Sequence, residues 1–284
     1  MSGAATGHDD SLAELPAAYA RWRRSRLGRV TDALERDLIL ELAGPLGGSS
    51  VLDVGCGDGD LATAYWRGDA DVVAMDLDPR MLALARRRLI AEGGAASLVR
   101  ARVESLPFAS GTFDLVSAIA VLCFVPDAPK AVAEMARVLK PGGRLVLGEL
   151  GRHNLWAALR RIRGWLGSPT WKAARFRDAA ELRELVERAG LSATSARGAV
   201  FYPPLGWAAR ALARADPWLG RRATCGAAFV AIAAAKPIAT GKAADTAPAG
   251  REAMMRRVVE GGQTPKAVRE AEGEGWWSRG GSNP

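Results

Sequence analysis

The sequence of 284 residues has little cysteine and no long apolar run. Its three cysteines, Cys56, Cys123 and Cys225, are odd in number and far apart, which argues against a disulfide scaffold and predicts reduced thiols in a cytoplasmic protein. The longest uncharged apolar stretch, Thr224 to Ala235, is well short of the roughly 20 residues that a membrane-spanning helix needs. The first residues also lack the basic, apolar and small regions of a signal peptide. We therefore expect neither a secretory leader nor a membrane span.

Histidine is scarce as well. The sequence contains only His8 and His153, and no group of His, Cys, Asp and Glu has the spacing of metal ligands, so we predict no metal site. The hydrophobic fraction of 49% and the charged fraction of 25% are ordinary for a globular protein, which excludes a collagen or a wholly disordered chain.

The positive charge is concentrated in one segment. The net charge is +8, and residues 151–177 contain seven basic and no acidic side chains. A nucleic-acid-binding protein more often builds a basic face from several elements, so we expect no nucleic-acid partner. A helix is predicted over about 153–168, with Arg160 and Arg161 opposite an apolar face made of Leu155, Leu159, Ile162 and Leu166. Either this helix is a lid, with its apolar face over a pocket and its basic face in solvent, or it lies on an anionic membrane.

Short apolar runs alternate with amphipathic helical segments up to residue 150. This alternation is typical of βαβ units and predicts an α/β fold with a Rossmann-like parallel sheet and helices on both faces. We divide the chain into a disordered N-terminus over 1–11, a helical cap over 12–45, a main domain over 46–236 and a disordered tail over 237–284. The cap is expected to break near Gly28, and the Lys-Pro-Gly-Gly segment at 140–143 is expected to separate a helix from the next strand.

A glycine loop follows the first predicted strand. It runs over 53–59 with the sequence Asp-Val-Gly-Cys-Gly-Asp-Gly, and Asp76 closes the next strand. A loop of this kind at a helix N-terminus, with a carboxylate for ribose hydroxyls, is typical of a nucleotide-like cofactor site. Asp60 stands where a dinucleotide site prefers its third glycine, and Asp53 and Asp58 add further negative charge. Three carboxylates disfavour a pyrophosphate and suit the ammonium and sulfonium groups of S-adenosylmethionine.

The chain resembles the class I S-adenosylmethionine-dependent methyltransferases, and most closely the small-molecule branch of ubiquinone and menaquinone biosynthesis. Five segments carry the resemblance in family order, at 51–59, 73–79, 104–108, 113–116 and 136–145. The resemblance covers about residues 19–235. It implies a seven-stranded sheet whose last strand is antiparallel, and S-adenosyl-L-methionine as cofactor.

The resemblance also assigns the cofactor site. In the family, Asp53, Gly55 and Gly57 border the methionine end, and Asp76 binds the ribose. The full predicted set is Asp53, Gly55, Cys56, Gly57, Asp76, Leu77, Arg102, Val103 and Ile119. Arg102 departs from the family, which usually has Asp there to accept from the adenine amino group. Arginine cannot accept a hydrogen bond, so we expect the backbone at Val103 to hold the ring edge.

The methyl acceptor is predicted to be a small, hydrophobic molecule, lipid- or quinone-like. Aromatic side chains expected around it are Tyr19, Trp22, Trp156 and Tyr202. The catalytic base is unassigned. Weak candidates are His153, Tyr19 and Tyr202, with Glu149 as a further option. The segment after the fourth predicted strand lacks the Asn/Asp-Pro-Pro-aromatic motif of amine methylation on DNA.

Two other functions remain open at this stage. A non-catalytic protein that binds S-adenosylmethionine as a sensor or scaffold would explain the missing base and the unusual Arg102. An NAD(P)-dependent oxidoreductase shares the glycine loop but does not account for Asp60 or the later motifs. A cytoplasmic protein is expected, with peripheral contact to an anionic membrane through residues 151–177 as the second interpretation of that segment.

Overall fold

The computed structural model describes residues 21–238, and its centre is one seven-stranded sheet. The strands are β1 (Ser50–Val54), β2 (Asp71–Asp76), β3 (Ser97–Arg100), β4 (Phe113–Ile119), β5 (Leu139–Leu150), β6 (Ser192–Ala199) and β7 (Phe229–Ala235). Their order across the sheet is β3-β2-β1-β4-β5-β7-β6. Only β7 is antiparallel, to both β5 and β6. The predicted Rossmann-like sheet with an antiparallel last strand is therefore confirmed.

Helices lie on both faces of this sheet. They are α1 (Arg26–Ala43), α2 (Asp60–Arg67), α3 (Pro79–Ala91), α4 (Ala128–Val138), α5 (Leu155–Trp165), α6 (Pro169–Ala173), α7 (Ala179–Arg188), α8 (Gly206–Leu212) and α9 (Asp216–Gly220). One apolar layer joins the sheet to α4 and α7, and a second joins it to α1, α2 and α3. Because both faces are covered, every residue of β1 is buried.

Strand order reverses between β1 and β4, which lie side by side and parallel. The connections from these two strands leave toward opposite sides of the sheet, and this opens a crevice at their carboxyl ends. In open α/β sheets, ligands bind in that crevice. The glycine loop follows β1 directly and therefore lies at this point.

Two boundaries predicted from the sequence differ in the structure. The cap helix breaks at Ser25 rather than near Gly28, because the Ser25 hydroxyl accepts the N–H of Gly28 as the N-cap of α1. Residues 140–143 do not separate α4 from β5 but form the first part of that strand. There Gly142 takes a φ of 80° and donates its N–H to the carbonyl of Lys236. The glycine lets the chain turn while remaining paired with the segment after β7.

The connection between β6 and β7 contains two short helices, α8 and α9. Asp216, at the start of α9, is buried and accepts the N–H groups of Val200 (2.8 Å) and Phe201 (2.7 Å). Val200 has a φ of 65°, which costs energy for a β-branched residue and must be held by its surroundings. The carboxylate thus fixes the backbone immediately before Tyr202.

No helix within residues 21–238 is long and apolar enough to cross a bilayer. The predicted disordered N-terminus and nearly all of the predicted tail lie outside the described residues, as do His8 and Tyr19.

Candidate functional site

The glycine loop is built from backbone conformations that favour glycine. Gly55, Gly57 and Gly59 have φ angles of 67°, 55° and 79°. A Cβ on Gly55 would lie 2.4 Å from Cγ2 of Val121, in the segment after β4, and one on Gly59 would lie 2.8 Å from Cβ of Ala85. A Cβ on Gly57 would meet no atom within 4 Å. The loop is therefore packed on two sides and open at Gly57, where a ligand can approach the backbone.

Asp76 ties this loop to the end of β2. Its Oδ2 accepts the N–H of Gly57 and its Oδ1 accepts the N–H of Asp78, both at 2.9 Å. Burial raises the pKa of Asp76, while these two hydrogen bonds work in the opposite direction. Each oxygen keeps a second lone pair, so the carboxylate can still accept from two ligand hydroxyls. This chemistry fits a ribose diol.

Asp53 is a buried carboxyl near the end of β1. The hydroxyl of Ser117 on β4 donates to its Oδ1 at 3.0 Å, while its Oδ2 has no hydrogen-bond partner among the described residues. Burial, opposed by the bond from Ser117, raises the pKa of Asp53 to about 7. A buried carboxyl with a spare acceptor atom, next to the glycine loop, fits a ligand ammonium group.

The other two carboxylates of the loop are neutralised within the protein. Arg23 donates to both oxygens of Asp58, at 2.8 and 2.9 Å, and Arg88 also pairs with Asp58. Asp60 lies 3.1 Å from Arg23 and 3.2 Å from Arg88. The negative charge that the sequence assigns to the loop through Asp58 and Asp60 is therefore largely balanced by Arg23 and Arg88. Sequence reasoning missed these pairings because Arg23 is 35 residues away along the chain.

The residues predicted around the adenine differ in exposure. Val103 is buried, Ile119 packs against the apolar layer that contains α1, and Leu77 is exposed. The side chain of Arg102 is 60% exposed and points to Glu104, with 3.4 Å between Nη2 and Oε1. Its cation is therefore directed to solvent, and the family's carboxylate has no replacement at this position. Cys56 is buried, and burial raises the pKa of its thiol.

Two of the predicted acceptor residues meet in one wall. The indole Nε1–H of Trp156, on α5, donates to the carbonyl of Tyr202 at 2.8 Å. The Tyr202 hydroxyl lies 3.0 Å from the hydroxyl of Thr31 on α1. Trp22 packs against the same apolar layer, whereas Tyr19 lies outside the described residues. Burial raises the pKa of Tyr202 to about 12, so its phenol stays protonated at neutral pH and is a poor base.

His153 lies on another part of the surface. Its side chain is 61% exposed, its Nε2 is 3.8 Å from Asp178, and it lines a depression of about 320 Å³ with Cys225. It follows β5, which is separated from β1 by β4 in the sheet. Glu149 is fully buried near the end of β5, and its Oε1 accepts the N–H of Leu122 at 2.8 Å. Glu149 therefore anchors the segment after β4.

The structure adds two charged groups beside the aromatic wall. Glu35, on α1, forms no hydrogen bond or salt bridge with a described residue, and burial raises its pKa to about 8 against the opposing charge of Arg160. The Arg160 guanidinium lies 5.4 Å from the ring of Trp156 and 5.1 Å from that of Trp171. Helix periodicity placed Arg160 in solvent and gave no reason to select Glu35 among the acidic residues of α1.

Comparison with known proteins identifies the family. A family model described as a methyltransferase domain matches residues 52–147. An uncharacterised protein of Mycobacterium tuberculosis is 36% identical over 225 residues, which cover 77% of this chain and 71% of that protein. A ubiquinone biosynthesis O-methyltransferase of Thiobacillus denitrificans is 35% identical over 166 residues, covering 56% of this chain and 71% of that enzyme. The chain belongs to the class I S-adenosylmethionine-dependent methyltransferases.

Solved structures agree on the fold of this methyltransferase. A methyltransferase from Thermotoga maritima superposes with a TM-score of 0.62 at 21% identity, over 81% of this chain and 99% of that one. The [4+2]-cyclase SpnF superposes with a TM-score of 0.59 at 21% identity, over 81% and 93% of the two chains. Because both a methyltransferase and a cyclase match, this likeness supports the architecture alone.

The site fits the family's cofactor. Asp76 would hold the ribose hydroxyls and Asp53 the ammonium group. The ligand would pass the open backbone at Gly57 between these two carboxyls. When bound, S-adenosylmethionine supplies a methyl group on a positively charged sulfur. The methyltransferase must then orient the acceptor and exclude water, and it must accept a proton where the acceptor is a hydroxyl or a carbon acid.

The raised pKa of Asp53 predicts a pH-dependent effect of Asp53→Asn. Because the folded state binds this proton more tightly than the unfolded chain, the contribution of Asp53 to the stability of wild type falls as pH rises from about 4 to about 7. Asparagine keeps an acceptor for Ser117 without a charge. By calorimetry without ligand, we expect Asp53→Asn to melt several degrees above wild type at pH 8. This difference in melting temperature should narrow as the pH falls to 5. The affinity of this variant for S-adenosylhomocysteine should fall.

Asp114→Asn is the matched control. Asp114 accepts from Lys140 and Ser50, and these bonds outweigh its burial and lower its pKa, so its loss should destabilise the protein at pH 8. If Asp53→Asn lowers the melting temperature at pH 8 as Asp114→Asn does, the assignment of Asp53 as a buried, costly carboxylate is wrong.

Proposed function

We propose that this methyltransferase methylates a hydroxyl group on a small, mostly apolar acceptor of quinone or lipid type. The supporting observation is the wall of Trp156 and Tyr202, whose polar atoms are both engaged within the protein. Both side chains are almost fully buried, so this wall consists of apolar ring carbon with no free polar atom. Apolar surroundings of this kind favour an apolar ring system over a peptide or a polynucleotide. Relatives named ubiquinone biosynthesis O-methyltransferases support the same class.

Glu35 is the group we assign to accept the acceptor's proton. Thr31, one turn before it on α1, contacts Tyr202. Ile39, one turn after it, packs against Gly148 near the carboxyl end of β5. A Cβ added to Gly148 would lie 3.1 Å from the Cδ1 atom of Ile39. The Glu35 carboxyl therefore lies between the aromatic wall and the carboxyl ends of β4 and β5. That is where an acceptor must lie to reach a cofactor bound at the glycine loop.

The surroundings of Glu35 suit a base that works near neutral pH. Burial has the largest effect and raises the pKa of Glu35. Arg160 and Arg23 lower it, whereas Asp32 and Asp216 raise it further. A base with a pKa near the working pH combines a useful ionised fraction with a useful affinity for the proton. Bound S-adenosylmethionine would supply the methyl group and leave as the neutral thioether, keeping the electron pair of the broken S–C bond, and the Glu35 carboxylate would accept the proton of the acceptor's O–H group.

The acceptor class is testable by transfer of a tritiated methyl group from S-adenosylmethionine. Candidates are a prenylated catechol, the same catechol without its prenyl tail, transfer RNA and a histone mixture. We expect organic-extractable product from the two catechols, with a lower KM for the prenylated one. Trp22→Ala should raise that KM about tenfold, the effect of removing an apolar contact worth somewhat over 1 kcal/mol.

Trp66→Ala is the matched control, because Trp66 is also half-buried but lies beside Gly94 and lines a depression at the amino ends of the strands. The KM of Trp66→Ala for the prenylated catechol should equal that of wild type. Label recovered in RNA or protein and not in the catechols would overturn the proposed acceptor class.

Replacing Glu35 tests its role as proton acceptor. Glu35→Gln should lower kcat about 100-fold or more, in line with the loss of a general base, and leave the affinity for S-adenosylhomocysteine unchanged. In wild type, kcat should rise with pH and level off above about 8, as Glu35 ionises. This inflection should vanish in Glu35→Gln.

Glu41→Gln controls for the loss of a carboxylate on the same helix. Glu41 is half-exposed and faces Arg197 and Arg221, away from the wall. The pH profile of kcat for Glu41→Gln should match that of wild type. A Glu35→Gln enzyme that keeps both its kcat and the inflection would remove Glu35 from the mechanism.

A further inference from the structure

Helix α5 turns its apolar stripe outward. Trp165 and Leu166 are 88% and 82% exposed, and the rest of the stripe, formed by Leu155, Leu159 and Ile162, is also exposed. The residues that α5 buries are Trp156, Ala157 and Gly164. At 100° per residue, the centre of the stripe lies roughly 170° from the centre of this buried side. The interpretation of α5 as a lid that packs through its apolar stripe is therefore wrong.

The packing of α5 explains this orientation. Trp156 donates to the carbonyl of Tyr202, and Gly164 allows close approach to α6, where an added Cβ would lie 3.1 Å from the backbone of Trp171. Arg160 lies between the rings of Trp156 and Trp171. The inner side is thus fixed by one hydrogen bond, two cation–π contacts and a small residue. Exposed large apolar side chains in such a row mark an interaction surface.

The charged side chains of residues 151–177, the segment that contains the stripe, are all basic. Of the seven basic side chains in residues 151–177, Arg152 pairs with Glu181, Arg160 turns inward, and Arg177 is buried facing Glu149. The other four are exposed and form no salt bridge with a described residue: Arg161, Arg163, Lys172 and Arg175. On the helical wheel, Arg163 lies on one side of the stripe. Arg161 lies on the other side, next to Trp165 at the edge of the stripe.

We propose that this surface, which we call the α5 face (Leu155, Leu159, Ile162, Trp165, Leu166 and the four exposed basic residues), docks the protein on an anionic lipid bilayer. An amphipathic helix with Trp and Leu outward and arginine at its flanks lies in the interfacial plane of a membrane. Tryptophan favours the level of the headgroups, and each basic side chain near an anionic surface strengthens binding about fivefold.

The same features disfavour other occupants. A second copy of the chain, related by a two-fold axis through the α5 face, would bring Arg161 and Arg163 of both copies together without intervening carboxylates. A nucleic acid would pair with the arginines and leave Trp165 and Leu166 in water. A bilayer buries the apolar stripe and neutralises the flanking charges at once.

This inference does not rest on the proposed acceptor, because membrane binding is measured without turnover. It adds a structural link to that proposal, since one side of α5 carries Trp156 of the aromatic wall while the other faces the bilayer. An apolar acceptor dissolved in the membrane would then lie close to the helix that carries Trp156.

The test is co-sedimentation of the full chain with lipid vesicles. Phosphatidylcholine vesicles with one third phosphatidylglycerol are compared with vesicles of phosphatidylcholine alone. We expect wild type to bind the anionic vesicles and to be released by high salt. Trp165→Ser/Leu166→Ser should weaken binding at least about tenfold. Arg161→Ala/Arg163→Ala should weaken it about fivefold for each arginine.

Matched controls come from α3. Ile90 is an exposed apolar residue and Arg86 and Arg87 are exposed arginines, all outside the α5 face. Ile90→Ser and Arg86→Ala/Arg87→Ala should bind vesicles as wild type does. Equal melting temperatures for all variants would show that the effects do not arise from unfolding.

Three results would overturn the proposal. Wild type could fail to sediment with anionic vesicles. The α3 variants could lose as much binding as the α5 variants, which would make the attraction non-specific. Finally, wild type could form dimers in sedimentation equilibrium that Trp165→Ser/Leu166→Ser abolishes, which would assign the α5 face to a second copy of the chain.

Discussion

The hydrogen bond from the Gly57 N–H to the Asp76 carboxylate fixes the geometry on which the rest of the site depends. It joins the turn after β1 to the end of β2, next to the place where the strand order reverses. The turn requires positive φ angles, and Val121 leaves no room for a side chain at Gly55. With the loop fixed in this way, the Asp76 and Asp53 carboxyls are held beside a backbone that a ligand can approach.

The N-terminal cap is coupled to this loop by charge. Arg23 bridges Asp58 and Asp60 of the loop region to Asp32 on α1, and its side chain is only 13% exposed. Partly buried pairs of this kind are screened less by salt than surface pairs, and several members share the charges. The same helix carries Thr31 and Glu35 to the aromatic wall. The glycine loop and the aromatic wall are therefore parts of one connected structure, and α1 is the connection.

The sequence contains strong signals for the backbone and weak ones for side-chain partners. The bounds of α2 and α3 follow from local chemistry, since glycines precede Asp60, and Asp78 and Pro79 start α3 with a cap and a fixed φ. The antiparallel β7 came from family resemblance. Helical spacing showed that the apolar residues of α5 share a face, but its direction depends on how Trp156 and Gly164 pack. The pairing of Arg23 with Asp58 and the position of Glu35 likewise depend on contacts between distant segments.

We infer that the glycine loop and Asp76 form an S-adenosylmethionine site rather than a dinucleotide site. Thermal stabilisation by S-adenosylhomocysteine and by NAD, measured on wild type, Asp76→Ala and Asp71→Ala, tests it most directly. Asp71 lies at the other end of β2 and serves as the matched control. We expect S-adenosylhomocysteine to stabilise wild type and Asp71→Ala by about 2.7 kcal/mol at a hundred times Kd, and to stabilise Asp76→Ala little. Stabilisation by NAD instead, or full stabilisation of Asp76→Ala by S-adenosylhomocysteine, would contradict this inference.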